Sequence, residues 1–340
     1  MQTMKKNKLG YYVLLAALLL VALLLPAVNL GVSTLSILVT VYLYMYWSSS
    51  WNILGGYAGL FSLGNGIYIG LGAYITACLY VYAGVTPYIG MLIAGVATGL
   101  FSLLIGYPTF RLQNIYYSLA TCALVNAARM LFTNNKVILG VRTEGSDGFK
   151  IPVVNDPANM QFASKVPYYY IILGLLVVVL VVSFLITRSK LGYQFRAISS
   201  NMNAASSLGI DVIHAKLKAQ FLSAFFTAIG GGFYFIFMRY IDPSSIFSSS
   251  MSCNIMIMCV IGGANTLWGP VIGAALLYTV NRVVTIYAPS SMSGFADLVF
   301  GLILITCVLV MPGGLMTFVN RIKEKRAAKG SRPQEEGVQA

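Results

Sequence analysis

Residues 9–110 read LGYYVLLAALLLVALLLPAVNLGVSTLSILVTVYLYMYWSSSWNILGGYAGLFSLGNGIYIGLGAYITACLYVYAGVTPYIGMLIAGVATGLFSLLIGYPTF, 102 positions without a single Asp, Glu, Lys or Arg. A helix that crosses the hydrocarbon core of a bilayer needs roughly 20 apolar residues, so this stretch alone holds about four of them. Lipid offers no partner for a free backbone N–H or C=O, which leaves helices or a closed barrel as spanning structures. Continuous apolar runs such as Tyr169–Ile186 lack the alternation of a barrel strand. The expected fold is therefore all-α, a polytopic transmembrane helical bundle.

The rest of the chain agrees. Of its 340 residues 58% are hydrophobic and 9% charged, with a mean hydropathy of +0.80. Soluble domains carry about a quarter charged residues, so this chain lacks the polar surface to face water on all sides. The net charge is +13, but the cations gather at the two termini and in one loop. That is the pattern of cytoplasmic membrane faces, and no nucleic acid is expected as a partner. Cys78, Cys122, Cys253, Cys259 and Cys307 all fall in apolar segments, away from His214, the single histidine. They read as buried, inert thiols, so neither a disulfide framework nor a metal or cofactor site is expected.

Ten apolar segments lie at about 9–28, 33–54, 66–84, 88–107, 115–132, 168–187, 217–238, 251–264, 268–287 and 294–311, with a range of 8–12 spans allowed by the weaker ones. Ten spans put both termini on one side. That side takes 15 Lys and Arg residues and the other takes 5, leaving aside Arg129 and Arg282 near helix ends, so both termini are expected in the cytoplasm. Lys5-Lys6-Asn7-Lys8 before Leu9–Leu25 has the look of a signal peptide. Its apolar part is long and Leu25–Asn29 offers no A-x-A site, so it reads as an uncleaved first helix, with cleavage as the alternative. The organisation is then a transmembrane domain over 1–318, with an extracytoplasmic loop at 133–167 and a cytoplasmic loop at 188–216, followed by a basic, polar tail at 319–340 whose composition suits disorder. No Gly-x-x-x-x-Gly-Lys-Ser/Thr phosphate loop occurs, so ATP, if it powers the protein, is hydrolysed by another chain.

Three features stand out from this frame. Leu54-Gly55-Gly56-x-x-x-Leu60 recurs as Ile261-Gly262-Gly263-x-x-x-Leu267, an offset of 207, with Gly66 and Gly273 in register. Paired breaks of this kind are left by internal repeats of transporters, where unwound backbone faces the substrate; close packing through small residues is the other reading. Segments 55–66 and 251–264 are thus candidates for broken or re-entrant elements, with Gly55, Gly56, Asn65, Gly262, Gly263 and Asn265 as path or hinge residues. The second feature is the loop Arg188–Lys218. Asn201 or Asn203 suits the N-cap of a short helix running through Leu208 and stopped by Gly209 at C′; such a helix either docks onto a cytoplasmic partner or lies on anionic lipid. The third is the 35-residue outer loop, where Gly145-Ser146-Asp147-Gly148 supplies left-handed turns and either receives an external partner or forms a structured cap. The polar residues Asn126, Arg129, Asn281, Arg282 and Asp297 sit near span ends. No proton-relay chain, HExxH or GxSxG is present, so no catalytic residue is expected.

Several motifs follow one another in order: Trp51-Asn52-Ile53-Leu54-Gly55-Gly56-Tyr57-Ala58-Gly59, Ser62-Leu63-Gly64, Gly72-Ala73-Tyr74, Gly145-Ser146-Asp147-Gly148, Phe195-Arg196-Ala197-Ile198, Ala204-Ala205, Leu208-Gly209-Ile210, Val260-Ile261-Gly262-Gly263, Thr266-Leu267-Trp268-Gly269-Pro270 and Met311-Pro312-Gly313-Gly314-Leu315. Over about residues 47–315 the chain resembles the permease subunits of bacterial ABC importers for branched-chain amino acids, of the kind that pairs with a second, different permease. It departs from their pattern at Ser199-Ser200, Ser206-Ser207 and Gly64-Asn65-Gly66. The resemblance implies a multi-pass protein of the bacterial plasma membrane, working with a second permease subunit, two cytoplasmic ATP-binding subunits and an extracytoplasmic solute-binding protein, with membrane lipid around it. It also implies that the cytoplasmic loop is the coupling helix, with Arg196, Ala204, Ala205 and Gly209 as its coupling positions. The same machine carrying urea, another amino acid or a sugar stands as the near alternative. An ion-coupled secondary transporter or channel is the alternative of another class.

Overall fold

The computed structural model describes residues 31–112, 114–138, 141–151 and 156–287, together with Leu298, Gly301, Leu302, Ile305, Gly314 and Leu315. The expected span at 9–28, nearly all of that at 294–311, the tail at 319–340, Asp297, Cys307 and the Met311-Pro312-Gly313 motif lie outside the described residues. Within them the chain forms α1 (Val32–Asn52), α2 (Asn65–Ala83), α3 (Pro87–Thr109), α4 (Asn114–Asn134), α5 (Val166–Arg188), α6 (Lys190–Ser200), α7 (Met202–Ser207), α8 (Val212–Met238), α9 (Pro243–Ile246), α10 (Ser249–Gly263) and α11 (Gly269–Tyr287). The segments expected at 33–54, 66–84, 88–107, 115–132, 168–187 and 268–287 are each one helix. Two segments are longer than their apolar runs. Asp211 caps the His214 N–H and starts α8 ahead of residue 217, and α9 with α10 extends the short segment 251–264 to 21 residues, Pro243–Gly263.

Among the described residues, seven helical segments are long and apolar enough to cross a membrane: α2, α3, α4, α5, α8, α9–α10 and α11. Their outer faces are apolar. Leu104 and Ile115 are 72% and 73% exposed, and Leu92, Leu119, Met130, Val181 and Leu185 continue the surface over α3, α4 and α5. Water does not tolerate apolar faces of that extent on a monomer, whereas acyl chains do. The protein is a polytopic helical membrane protein.

α1 differs from its neighbours. It is 21 residues long, and from Tyr46 to Asn52 every residue is buried. It is encased by α5, α8, α10 and α11, so its polar side chains need partners inside the bundle. The Tyr46 hydroxyl donates to the Phe226 carbonyl at 2.7 Å, Trp47 Nε1 to the Thr227 carbonyl at 3.2 Å and the Ser48 hydroxyl to the Ile255 carbonyl at 3.1 Å. α8 packs most broadly, against α3 and α2. A Cβ on Gly72 would strike the Ala228 carbonyl, and one on Gly231 the Ile69 carbonyl, so glycine sets the approach of α2 to α8. The loop at 133–167 holds three of the four strands among the described residues. β1 (Val137–Ile138) pairs antiparallel with β2 (Val141–Arg142), and β3 (Phe149–Lys150) pairs antiparallel with β4 (Tyr240–Ile241) in the α8–α9 connection.

Candidate functional site

The first Gly-rich segment is a break in the helical path. α1 loosens into one π turn at Ile53–Tyr57 and the chain then runs without helix until Asn65. A Cβ on Gly55 would enter the Trp51 indole, and the Trp51 Nε1 donates to the Ser62 carbonyl at 2.8 Å, folding the unwound strand back on the helix. Gly59 takes φ +71°, the left-handed region. The free N–H groups at the start of α2 are met from other helices: Leu63 N–H donates to the Thr121 hydroxyl at 3.0 Å and Gly66 N–H to the Ser252 hydroxyl at 2.7 Å.

The second segment, 251–264, is not itself broken: it is helical through Gly263 as part of α10, and the helix stops only in the junction with α11, which lies directly on the first break. Asn52, buried at the end of α1, donates from Nδ2 to the Thr266 carbonyl at 2.9 Å, and its Oδ1 accepts from the Asn265 N–H at 3.0 Å and the Cys259 thiol at 3.5 Å. A Cβ on Gly56 would overlap Asn52 Oδ1 and lie 2.7 Å from the Asn265 nitrogen. A Cβ on Gly262 would strike the Gly269 carbonyl oxygen. The offset of 207 that relates the two Gly-Gly motifs also separates Ser48 from its acceptor Ile255, and Asn52 from Cys259. Two pairs of positions related by that offset therefore meet.

The expected coupling loop folds into α6 and α7. Gly192, Phe195 and Ile198 form the buried face of α6. Asn201 is the N-cap of α7, its Oδ1 accepting from the N–H groups of Asn203 at 3.0 Å and Ala204 at 3.1 Å. α7 closes with Ile210 N–H donating to the Ala205 carbonyl at 3.1 Å and Gly209 N–H to the Ser206 carbonyl at 2.9 Å, with Gly209 at φ +80°. This is the Schellman ending the sequence anticipates. Arg196, Ala204 and Gly209 are exposed, and Arg196 Nη2 donates to the Thr187 carbonyl at 2.8 Å. Ala205 is buried, so its side chain packs inward instead of facing a partner. Ser199 lies against the first break, where a Cβ on Gly59 would sit 2.6 Å from the Ser199 hydroxyl. Two features singled out separately in the sequence are thus in contact.

The opposite end of the bundle carries a cavity of about 700 Å³ lined by Thr40, Tyr44, Tyr234, Asn254 and Tyr278, with Lys165 and Arg282 also on its wall. In the outer loop Gly145 at φ +56° and Gly148 at φ +71° are buried, while Ser146 and Asp147 are exposed. Gly148 is required, since a Cβ would come within 2.7 Å of the Ile241 carbonyl oxygen. Asp147 bonds Lys136 Nζ at 2.8 Å instead of capping local backbone; that bond and charge hold its carboxyl below, and the Lys136 ammonium above, their ordinary ranges. At the other end the His214 backbone N–H and ring together lower the Asp211 carboxyl.

Asn65 is fully buried and neither side-chain polar atom has a partner among the described residues, whereas Asn265 is exposed at φ +65°. Residue-type reasoning passes over Asn52 and Gln220. Gln220 sits in a buried network, accepting from the Tyr117 hydroxyl at 3.0 Å and donating to the Tyr68 hydroxyl at 2.8 Å. The signal for Asn52 is an amide three residues before Gly55 in a charge-free run.

Comparison with known proteins extends the picture. The sequence family described as branched-chain amino acid transport system / permease component matches residues 33–308. The chain is 27% identical to the high-affinity branched-chain amino acid transport system permease protein LivM of Escherichia coli (strain K12), over 93% of this chain and 78% of the relative. It is 28% identical to the autoinducer 2 import system permease protein LsrC of Klebsiella pneumoniae subsp. pneumoniae, over 71% and 64% of the two chains. It is 25% identical to the probable branched-chain amino acid transport permease protein LivH of Methanocaldococcus jannaschii, over 77% and 84%. No solved structure matches.

Proposed function

The chain belongs to the permease family of the branched-chain amino acid transport system, and from that premise we propose that it is the membrane-spanning permease subunit of an ABC importer for branched-chain amino acids or related small solutes. It is a multi-pass protein of the plasma membrane. Two cytoplasmic ATP-binding subunits hydrolyse ATP, a solute-binding protein delivers the solute from outside, and a second permease completes the channel. We take the chain to have ten spans within 1–318, both termini and the 319–340 tail being cytoplasmic. The end that carries α6, α7 and the two Gly-Gly segments then faces the ATPases, and the 700 Å³ cavity opens outward.

The observation that carries this reading is the seat of α6 on the first break, Ser199 against Gly59. Arg196, Ala204 and Gly209 supply the docking surface, with Ala205 fastening α7 from behind. Movement of the loop is passed through Gly59 to Gly55, Gly56 and Asn65, and across Asn52 to Gly262, Gly263 and Asn265. At the outer end Gly145, Ser146, Asp147 and Gly148 form the platform for the binding protein. Phenol, hydroxyl and amide groups of the cavity suit a zwitterionic solute without a buried charge relay. The named solutes of the relatives differ, which fits selection of the solute by the binding protein.

Co-reconstitution of the chain with its ATPase, second permease and binding protein in proteoliposomes tests the proposal. Leucine uptake should require ATP and the binding protein and persist when ion gradients are collapsed. Uptake driven by a sodium or proton gradient without ATP would replace this reading with that of a secondary transporter.

A further inference from the structure

The end of the bundle that carries α6 and α7 is short of acids. Among the described residues it holds Arg111, Arg188, Lys190, Arg196, Lys216 and Lys218, against Asp211 alone, which is bound to His214 at 2.7 Å. Most of these cations are exposed, but Lys216 is not. Lys216 is 6% exposed as a residue, at the start of α8, with Nζ lying 5.7 Å from the centre of the Phe110 ring. The next residue, Arg111, places its guanidinium 5.9 Å from the Tyr107 ring. Neither cation contacts a carboxylate among the described residues. Lys216 holds its charge in a half-desolvated place without a counter-charge, which is costly, and an aromatic face recovers only part of that cost.

The surroundings specify which anion fits. Leu104, Tyr107, Leu112 and Ile115 are exposed beside this notch and belong to the lipid-facing surface. An anion resting there has acyl chains for neighbours. We propose that the notch between the end of α3 and the first turns of α8 binds the headgroup of an anionic phospholipid, its phosphodiester shared by Lys216 and Arg111. A bilayer places such phosphates at this depth, basic notches between membrane helices suit them, and the aromatic rings shield the contact from water. The site rests on the membrane fold and not on the transported solute. It makes lipid charge a determinant of how α8 and α3 hold together beside the docking loop.

The test uses the full-length protein in nanodiscs of phosphatidylcholine with or without phosphatidylglycerol. Phosphatidylglycerol should raise the thermal midpoint of the wild type and remain bound in native mass spectrometry. Lys216→Met and Arg111→Met should each weaken its retention about five-fold, the equivalent of the roughly 1 kcal/mol that one basic residue contributes at an anionic surface. Lys218→Met, at an exposed position outside the notch, should retain it fully. Arg111 is itself exposed, so its variant reports even if Lys216→Met folds poorly. Equal retention by wild type and Arg111→Met, a midpoint indifferent to phosphatidylglycerol, or the same protection by inorganic phosphate in phosphatidylcholine discs would overturn the assignment. In the first two cases the negative carbonyl end of α3 suffices for these cations.

Discussion

Replacing Asn52 with Leu cuts the tie between the two Gly-Gly segments and leaves the space filled. The wild-type amide is buried; it donates to the Thr266 carbonyl at 2.9 Å and accepts from the Asn265 N–H at 3.0 Å, with the Cys259 thiol at 3.5 Å as a weaker third contact. Leucine strands one carbonyl and one N–H. A buried group without a partner costs about 1–3 kcal/mol. Thr266 is half-buried and Asn265 exposed, so the lower part of that range applies, and the two together amount to about 2–4 kcal/mol. Equilibrium unfolding of the protein in mixed micelles measures this directly. Asn52→Asp is the companion variant: ionised, it keeps the acceptor for Asn265 and loses the donor to Thr266, whereas protonated it has an O–H to donate, so its loss should shrink as the carboxyl is protonated. In the reconstituted transporter, Asn52→Leu should also lower solute moved per ATP hydrolysed, because the second segment no longer follows the first. A loss below about 0.5 kcal/mol, the scatter of ordinary surface substitutions, with unchanged transport per ATP, would refute the idea that Asn52 joins the segments.

Other outcomes follow from single positions. Gly209→Val places a β-branched residue at φ +80° with no heavy atom of the described residues within 4 Å of its Cβ, so the effect is backbone strain, about 1–2 kcal/mol; ATP-driven uptake should fall while membrane insertion, followed by blotting of membranes, stays normal. Gly59→Ala pushes a methyl to 2.6 Å from the Ser199 hydroxyl at φ +71° and should uncouple ATPase activity from uptake, with partial recovery in the Gly59→Ala, Ser199→Gly pair because the hydroxyl contact is removed while the 3.1 Å approach to the residue-199 Cα and the strain remain. The Lys136–Asp147 pair sets a pH window for the outer loop. The lowered Asp147 contributes order above the ordinary aspartate range, near pH 4, and loses it as pH falls through its folded value; the raised Lys136 contributes below the ordinary lysine range and loses it as pH rises through its folded value. Protection of the amides at residues 145–148, taken relative to the intrinsic exchange rate at each pH, should therefore fall in acid, and in Lys136→Met it should be low at all pH values and insensitive to salt.

Much of this protein is legible in contiguous residues. The run from Leu9 to Phe110 names the solvent, because one charge at bilayer depth is too costly to recur by chance. Asn201, Leu208 and Gly209 spell out α7 and its left-handed end, because caps are settled by groups within a turn of each other. The glycines at 145 and 148 announce their turns for the same reason. The buried side chain of Ala205 is not visible in this way: its neighbour Ala204 is chemically identical, and only the rotation of α7 against α8 separates them. Nor is the length of the segment at 251–264, which α9 extends through an Asp242 cap outside the apolar run.

The sequence by itself determined the fold class, the placement of most helices, the break at 55–64 and the left-handed turn at Gly209, all of which depend on transfer from water or on interactions within a few residues. The tertiary structure alone decided that the two Gly-Gly segments meet at one buried amide, that Ser199 rests on Gly59, and that Lys216 has an aromatic ring and, among the described residues, no carboxylate beside it. Asn52 and Thr266 stand 214 residues apart. A pairing at that distance is set by how close glycine lets one helix come to another, and close approach is a property of packed surfaces that no local pattern of residues records.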